Sequence, residues 1–149
     1  MSETLTKAAA RNIFYGGTAF FFAVFVALTA HSVTKANAIA AANPVTPGVA
    51  AGKHVWEKHS CINCHTLMGE GAYFAPELGN VWVRFGGKED ANGAREALKA
   101  WMKGQPSGVE GRRQMPQFNL TETELDNLAD FLKWTSEVDT QNWPPKVSG

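Results

Sequence analysis

Sulfur chemistry is sparse in this chain: its 149 residues hold two cysteines, and both fall within one short stretch, at Cys61 and Cys64. A framework of disulfides spread over several loops is therefore excluded, and the two thiols must act together. Net charge is also missing, with 14 basic residues set against 14 acidic ones. No basic motif for reading bases or phosphates occurs, so nucleic acid is not an expected partner. Ahead of the cysteines there is neither a strand nor a long βαβ pattern, the setting that a cytosolic redox dithiol would require.

What is present is Cys61-Ile62-Asn63-Cys64-His65. Two thiols separated by two residues can add to the two vinyl groups of one haem, and the next histidine can reach the iron from the proximal face. One covalent haem c is therefore expected on Cys61, Cys64 and His65. A zinc site would need four ligands and would have to recruit His54, His59 or a carboxylate, whereas both histidines read as ordinary surface residues. After His65 the run from Thr66 to Asn80 is dense in glycine and proline and reads as a loop around one edge of the ring. The outer nitrogen of a ligating histidine needs an acceptor, and the carbonyl of Pro76 is the candidate.

The opposite face of the iron decides the kind of function. Left open, it binds small molecules, as in a haem-based sensor, a carrier or a peroxidase; filled by a thioether, it favours outer-sphere electron transfer at a raised potential. Met68 lies only three residues past His65, too close to cross readily to the other face, and Met102 belongs to a regular helix. Met115 lies in an interhelical loop with 49 residues between it and His65, enough chain to round the ring, and is the expected ligand. Arg112 and Arg113 beside it read either as a surface pair or as partners for haem carboxylates or a neighbouring subunit. No acid, base or open metal position argues for catalysis within the chain, so any catalysis is expected in a partner.

Asn12 to Ala30 is a run of 19 residues without a formal charge, about 28 Å long as a helix and close to the hydrocarbon thickness of a bilayer. Its aromatic residues Phe14, Tyr15, Phe20, Phe21, Phe22 and Phe25 cover every side of a helical wheel, which a half-buried helix avoids. Ala36-Asn37-Ala38 looks like a cleavage site, but the apolar run exceeds the ~7–15 residues of a signal-peptide core, so a retained anchor is expected. Lys7 and Arg11 precede the run and only Lys35 follows closely, which places the N-terminus in the cytoplasm. The resulting division is 1–11 cytoplasmic, 12–31 transmembrane, 32–48 a periplasmic helix extension to about residue 42 with a connector, and 49–149 a monohaem domain. The stripe Gly16, Ala19, Ala23, Ala27 hints at a partner helix in the membrane.

The outer domain reads as helical. Val49, Gly52, Val55 and Trp56 suggest a helix leading into the cysteine motif, with Gly52 the point where a second helix crosses closely. Ala94, Ala97, Leu98 and Trp101 mark a buried stripe on a helix ending at Lys103, with Gly104 as its cap. Thr121 with Glu124 makes a capping box, and Leu120 with Leu125 a hydrophobic staple, for a last helix whose Leu125, Leu128, Ala129 and Leu132 face inward. That helix is expected to pack across the one before Cys61. The tail from Gln141 reads as extended, with Trp143 as an anchor. From Val49 onward 11 basic residues face 13 acidic ones, a weak negative balance compatible with a basic electron donor.

Taken together, Cys61 to His65, Pro76-Glu77-Leu78 and Met115-Pro116 resemble the class I cytochrome c pattern. The N-terminal anchor, the run from Cys64 to Asn80, the Arg112 to Phe118 loop and the closing Phe131-Leu132-Lys133-Trp134 are most similar to the cytochrome c subunit of bacterial respiratory nitric oxide reductase. The resemblance implies an all-α fold, a single transmembrane helix plus a class I cytochrome c domain, with His65 and Met115 as axial ligands and Pro76 supporting His65. It also implies a place in the bacterial inner membrane with the haem domain on the periplasmic side. The implied partners are a polytopic catalytic subunit with b-type haems and non-haem iron, and a soluble periplasmic donor, a cytochrome c or a cupredoxin. A calcium ion shared with the catalytic subunit near Gly71 and Tyr73 is implied too, although this chain alone offers far fewer than the six to eight oxygens calcium takes. A free-standing membrane-anchored shuttle to an oxidase is the alternative.

Overall fold

The computed structural model describes residues 5–140. The first four residues and the tail with Trp143 lie outside the described residues. The chain divides into two units, separating after Ala42.

The first unit is one helix, α1, Lys7–Ala42. Its 36 residues make about 54 Å of helix, well beyond the ~30 Å of a hydrocarbon core. It is long and apolar enough to cross a membrane. None of its side chains is buried, and the Phe residues on every side stand open. The helix continues without a break through Lys35 and stops just short of Pro44, which disfavours helix in the residue before it.

The second unit begins at Asn43. Helix α2, Pro47–Lys58, starts two residues earlier than the apolar pattern indicated, because Thr46 caps it by accepting the Val49 amide at 3.3 Å and Pro47 occupies the first turn. Proline lacks only a donor that this position leaves unpaired anyway, so it begins the helix instead of ending a connector. A short turn of helix, α3, Val81–Arg84, follows the glycine-rich loop. Helix α4, Ala91–Lys103, is capped by the Asp90 carboxylate, which accepts the amides of Asn92 and Gly93. Helix α5, Glu122–Glu137, carries the capping box, with both reciprocal bonds between Thr121 and Glu124 present. The loop after His65 contains an unexpected feature, a two-residue ribbon of β1, Thr66–Leu67, against β2, Glu70–Gly71. The fold is otherwise helical.

Helix α5 packs against α2, α3 and α4, and its Leu128, Ala129, Phe131 and Leu132 meet Val49, Val55, Trp56, Trp82 and Leu98 in one core. Where α2 crosses α5 the helices touch backbone to backbone: a Cβ on Gly52 would lie 1.9 Å from the Asn127 carbonyl oxygen and 2.7 Å from the Phe131 Cβ. The expected stripe of α4 needs correction. Ala94 and Leu98 are buried, but Ala97 and Trp101 are exposed, and Lys99 takes the interior place instead. Its ammonium reaches across to Asp126 at 3.0 Å and Glu122 at 3.3 Å, and Arg95 pairs with Asp130, so half of this seam is ionic. At the other end of α5, Trp134 Nε1 donates to the Asn43 carbonyl at 3.0 Å while Asn43 Nδ2 donates to the Trp134 carbonyl at 3.2 Å. This reciprocal pair joins the first residue of the unit to its last helix.

Two substitutions should separate packing from capping. Gly52→Ala should lower stability by about 3 kcal/mol, since the helices must part, and Thr121→Ala by about 1 kcal/mol; equilibrium denaturation of each variant checks the order. The Lys58 ammonium at 2.8 Å, followed by the bonds from Thr121, holds the Glu124 carboxyl down to about 2 from its ordinary 4.5. A carboxylate with a depressed value stabilises the fold above its unfolded value and loses that contribution as pH falls through the folded one. The gap in melting temperature between wild type and Glu124→Gln should therefore be constant above about pH 5 and close as pH falls from 4.5 towards 2.

Candidate haem site

Helix α2 delivers the chain directly to the cysteine motif. His59 closes the helix, Ser60 turns it with a φ of 52°, and Cys61–Asn63 forms a single 3₁₀ turn closed by the amides of Cys64 and His65 on the Cys61 carbonyl. This turn leaves Cys61 half-buried, Cys64 exposed and His65 buried. Burial pushes the Cys61 thiol up to about 11, with the neighbouring Cys64 adding to the shift. Among the described residues no three of the His, Cys, Asp and Glu side chains gather as a metal-binding group, so the zinc reading gains no support. His54 is exposed beside Glu57, but His59 is not the surface residue expected: its ring lies edge-on to Phe118 at 5.2 Å and its Nε2 is buried.

His65 Nδ1 lies 2.7 Å from the Pro76 carbonyl oxygen. A carbonyl can only accept, so this nitrogen carries the proton and Nε2 keeps its lone pair for a metal. Three main-chain bonds hold the two segments in register, Ala72 to Ile62, Ala75 to Cys64 and Leu78 to Thr66. Glu77 adds a fourth connection. Burial opposes its charge, yet hydrogen bonds from Thr66 and from the amides of Gly79, Gly69 and Met68 win, holding the carboxyl below its usual range. Gly71 packs against the same strand, where a Cβ would lie 2.3 Å from the His65 carbonyl. Tyr73 is 80% exposed, its hydroxyl donating to the Gly69 carbonyl.

Beside His65 opens a cavity of about 230 Å³ lined almost wholly by apolar groups. Cys61, His65, Pro76 and Met115 all line it, so residues spread over more than fifty positions meet in one space. Met102, read as core or margin, lines it as well, whereas Met68 does not: it stands with Gly69 at the tip of the β1–β2 ribbon, both at positive φ. Trp101, exposed on the helix, contributes to the wall. Among the described residues Arg84 is the one arginine or lysine in the lining, and its Nη2 donates to the Glu77 carbonyl at 2.7 Å. Burial lowers its pKa, with Glu77 opposing. The sole sequence signal for it was a lone cation inside Val81-Trp82-Val83-Arg84-Phe85. Arg113, beside Met115, donates to the Phe74 carbonyl and sets its guanidinium 4.7 Å over the Phe74 ring. The Met115 loop is shaped by side-chain amides: Gln114 bonds Ser107, Gly108 and Val109, and Gln117 bonds the carbonyls of Lys103 and Gln105. An imidazole with a free lone pair, a thioether, paired thiols and dry apolar walls are the donor set that a covalent haem requires, so the residues fit the group.

A family model described as cytochrome c matches residues 49–136. The nitric oxide reductase C subunit of Halomonas halodenitrificans is 55% identical over 150 residues, that of Paracoccus denitrificans 56%, and that of Cereibacter sphaeroides 57%, each match covering all of both chains. A cytochrome c domain with this motif carries haem c covalently. With its cysteine motif, its braced histidine and a likeness that runs from end to end, the chain belongs to the cytochrome c family and, within it, to the family of nitric oxide reductase C subunits.

Proposed function

We propose that this chain is the electron-relay subunit of a membrane nitric oxide reductase. It takes electrons from a soluble periplasmic donor, a cytochrome c or a cupredoxin, and passes them to a catalytic subunit carrying b-type haems and non-haem iron, where two nitric oxide molecules become nitrous oxide and water. The observation that carries this reading is the end-to-end likeness to nitric oxide reductase C subunits, joined to a cavity lined by both His65 and Met115.

Bound haem supplies a one-electron couple. Cys61 and Cys64 would hold the ring through thioether bonds, His65 and Met115 would supply the iron donors, and Pro76 would fix the His65 ring and tautomer. Arg84 would offer its charge to the haem's carboxylates, and Trp56, Leu98, Leu128 and Leu132, which line the cavity, would keep water from the ring. Because the same two ligands serve both oxidation states, little rearrangement accompanies electron transfer. Helix α1 spans the bilayer over 12–31, leaves 1–11 in the cytoplasm and extends on the periplasmic side to Ala42, and the haem domain, whose first helix begins at Pro47, lies on that same side. Gly71 and Tyr73 would lend oxygens to a calcium ion shared with the catalytic subunit, which would supply the remaining ligands; the exposure of Tyr73 supports a role at an interface.

Mild solubilisation of the membrane should co-purify the haem c with a large subunit showing b-haem spectra. Recovery of the haem c alone would instead make the chain a free shuttle, and ready carbon monoxide binding by the reduced wild type would make it a sensor. Met115→Ala should abolish the methionine-to-iron charge-transfer band, open the reduced protein to carbon monoxide and lower the potential, while Met68→Ala and Met102→Ala keep the band. An unchanged band in Met115→Ala removes Met115 as the ligand.

A further inference from the structure

We infer that Glu77 is a positioning residue for the proximal ligand: its carboxylate locks the ribbon after His65 to the segment bearing Pro76, and thereby sets the His65 to Pro76 hydrogen bond and the potential of the site. This inference rests on the haem reading above.

The geometry is a knot around one carboxylate. Oε1 accepts the amides of Met68 and Gly79, each at 2.8 Å, and Oε2 accepts the Gly69 amide at 3.3 Å. The Thr66 side chain bonds it too. Met68 and Gly69 form the tip of the ribbon with φ of 52° and 86°, the pairing of a type I′ turn, which a non-glycine residue such as Met68 adopts only at a cost. Thr66 follows His65 and Glu77 follows Pro76, so one side chain joins the neighbours of both partners in the proximal bond. The Glu77 carbonyl also receives Arg84, the cation of the cavity wall. Main-chain bonds that do not involve the carboxylate join the same segments, so its loss should loosen the Pro76 contact without abolishing it.

A firm acceptor on Nδ1–H makes the imidazole a stronger donor and favours the oxidised state. A nearby carboxylate acts in the same direction by its charge. Two variants of the full-length, haem-loaded protein separate these effects. Glu77→Gln removes the charge and keeps an acceptor oxygen, while Glu77→Asp keeps the charge on a side chain one methylene too short for the turn amides. Redox titration, with the proton resonance of His65 Nδ1–H in the reduced protein, provides the readout, and the exposed Glu70→Gln serves as control. Both Glu77 variants should raise the potential, by about 59 mV for a tenfold shift of a one-electron equilibrium, and move the Nδ1–H resonance; the control should do neither. Wild-type potentials in both variants, even with lower melting temperatures, would show a purely structural role and overturn the inference. A rise in Glu77→Gln alone with an unmoved resonance would reduce the effect to bare charge and overturn it equally. Should Glu77→Gln fail to take up haem, Thr66→Val, which removes one donor and leaves the charge, must still raise the potential. Absence of covalent haem in the wild type would defeat the haem reading itself, a result distinct from all of these.

Discussion

The bare-backbone crossing of α2 and α5 at Gly52 is the contact on which the cytochrome c domain depends. With no side chain between them, the Asn127 carbonyl and the Phe131 Cβ come against the α2 backbone itself. That approach places Trp56, about one turn past the crossing, against Phe131 on one side and His65 on the other, with ring centroids 6.2 and 6.5 Å apart. Because α2 runs straight into the cysteine turn, its position decides where Cys61 and His65 begin. The apolar core therefore serves two purposes at once, closing the fold and setting one wall of the cavity.

Away from the helices the domain solves a different problem. The long stretches 66–80 and 104–120 contain little regular structure, so many of their amides and carbonyls find partners outside helices and ladders. Side chains supply many of them. Glu77 collects three amides, and Gln114 and Gln117, on either side of Met115, tie the loop back to residues between 103 and 109. Each of these is a polar side chain acting as a neighbouring strand does elsewhere, and together they hold the loops that bring Pro76 and Met115 to His65. Arg113 on Phe74 joins one of these loops to the other. Charge plays a smaller energetic part: the pairs between α4 and α5 are mostly half-exposed, where ion pairs contribute little, although Lys99 shows that they decide which face of α4 turns inward.

The features legible in the residues were those governed by local rules. The spacing of Cys61, Cys64 and His65 identified the cofactor chemistry, the uncharged run from Asn12 to Ala30 the long apolar helix, and Thr121 with Glu124 the start of α5. Gly52 was legible as a crossing point because a glycine amid apolar helix positions has few other uses. The errors share a cause. Ala97 and Trp101 fit the period of a buried stripe as well as Ala94 and Leu98 do, but Ala97 stands exposed and Trp101 goes to the cavity wall, while Lys99 takes an interior place against the acidic face of α5. The ribbon at Thr66–Gly71 was invisible because Met68-Gly69 lacks the Asn-Gly or Asp-Gly signature of such turns, its positive φ being held by a carboxylate eight or nine residues further on.

By itself, then, the order of residues determined the long helices, the cap of α5, the thiol and imidazole chemistry and the family, since these depend on neighbours within a few positions along the chain. Only the tertiary structure decided that Met102 and Arg84 share the cavity wall with Met115, that Met68 does not, and that Glu77 lies behind Pro76. Those placements follow from the closing of loops across tens of residues, where hydrogen-bond satisfaction and core packing, and not local periodicity, select which side chains meet.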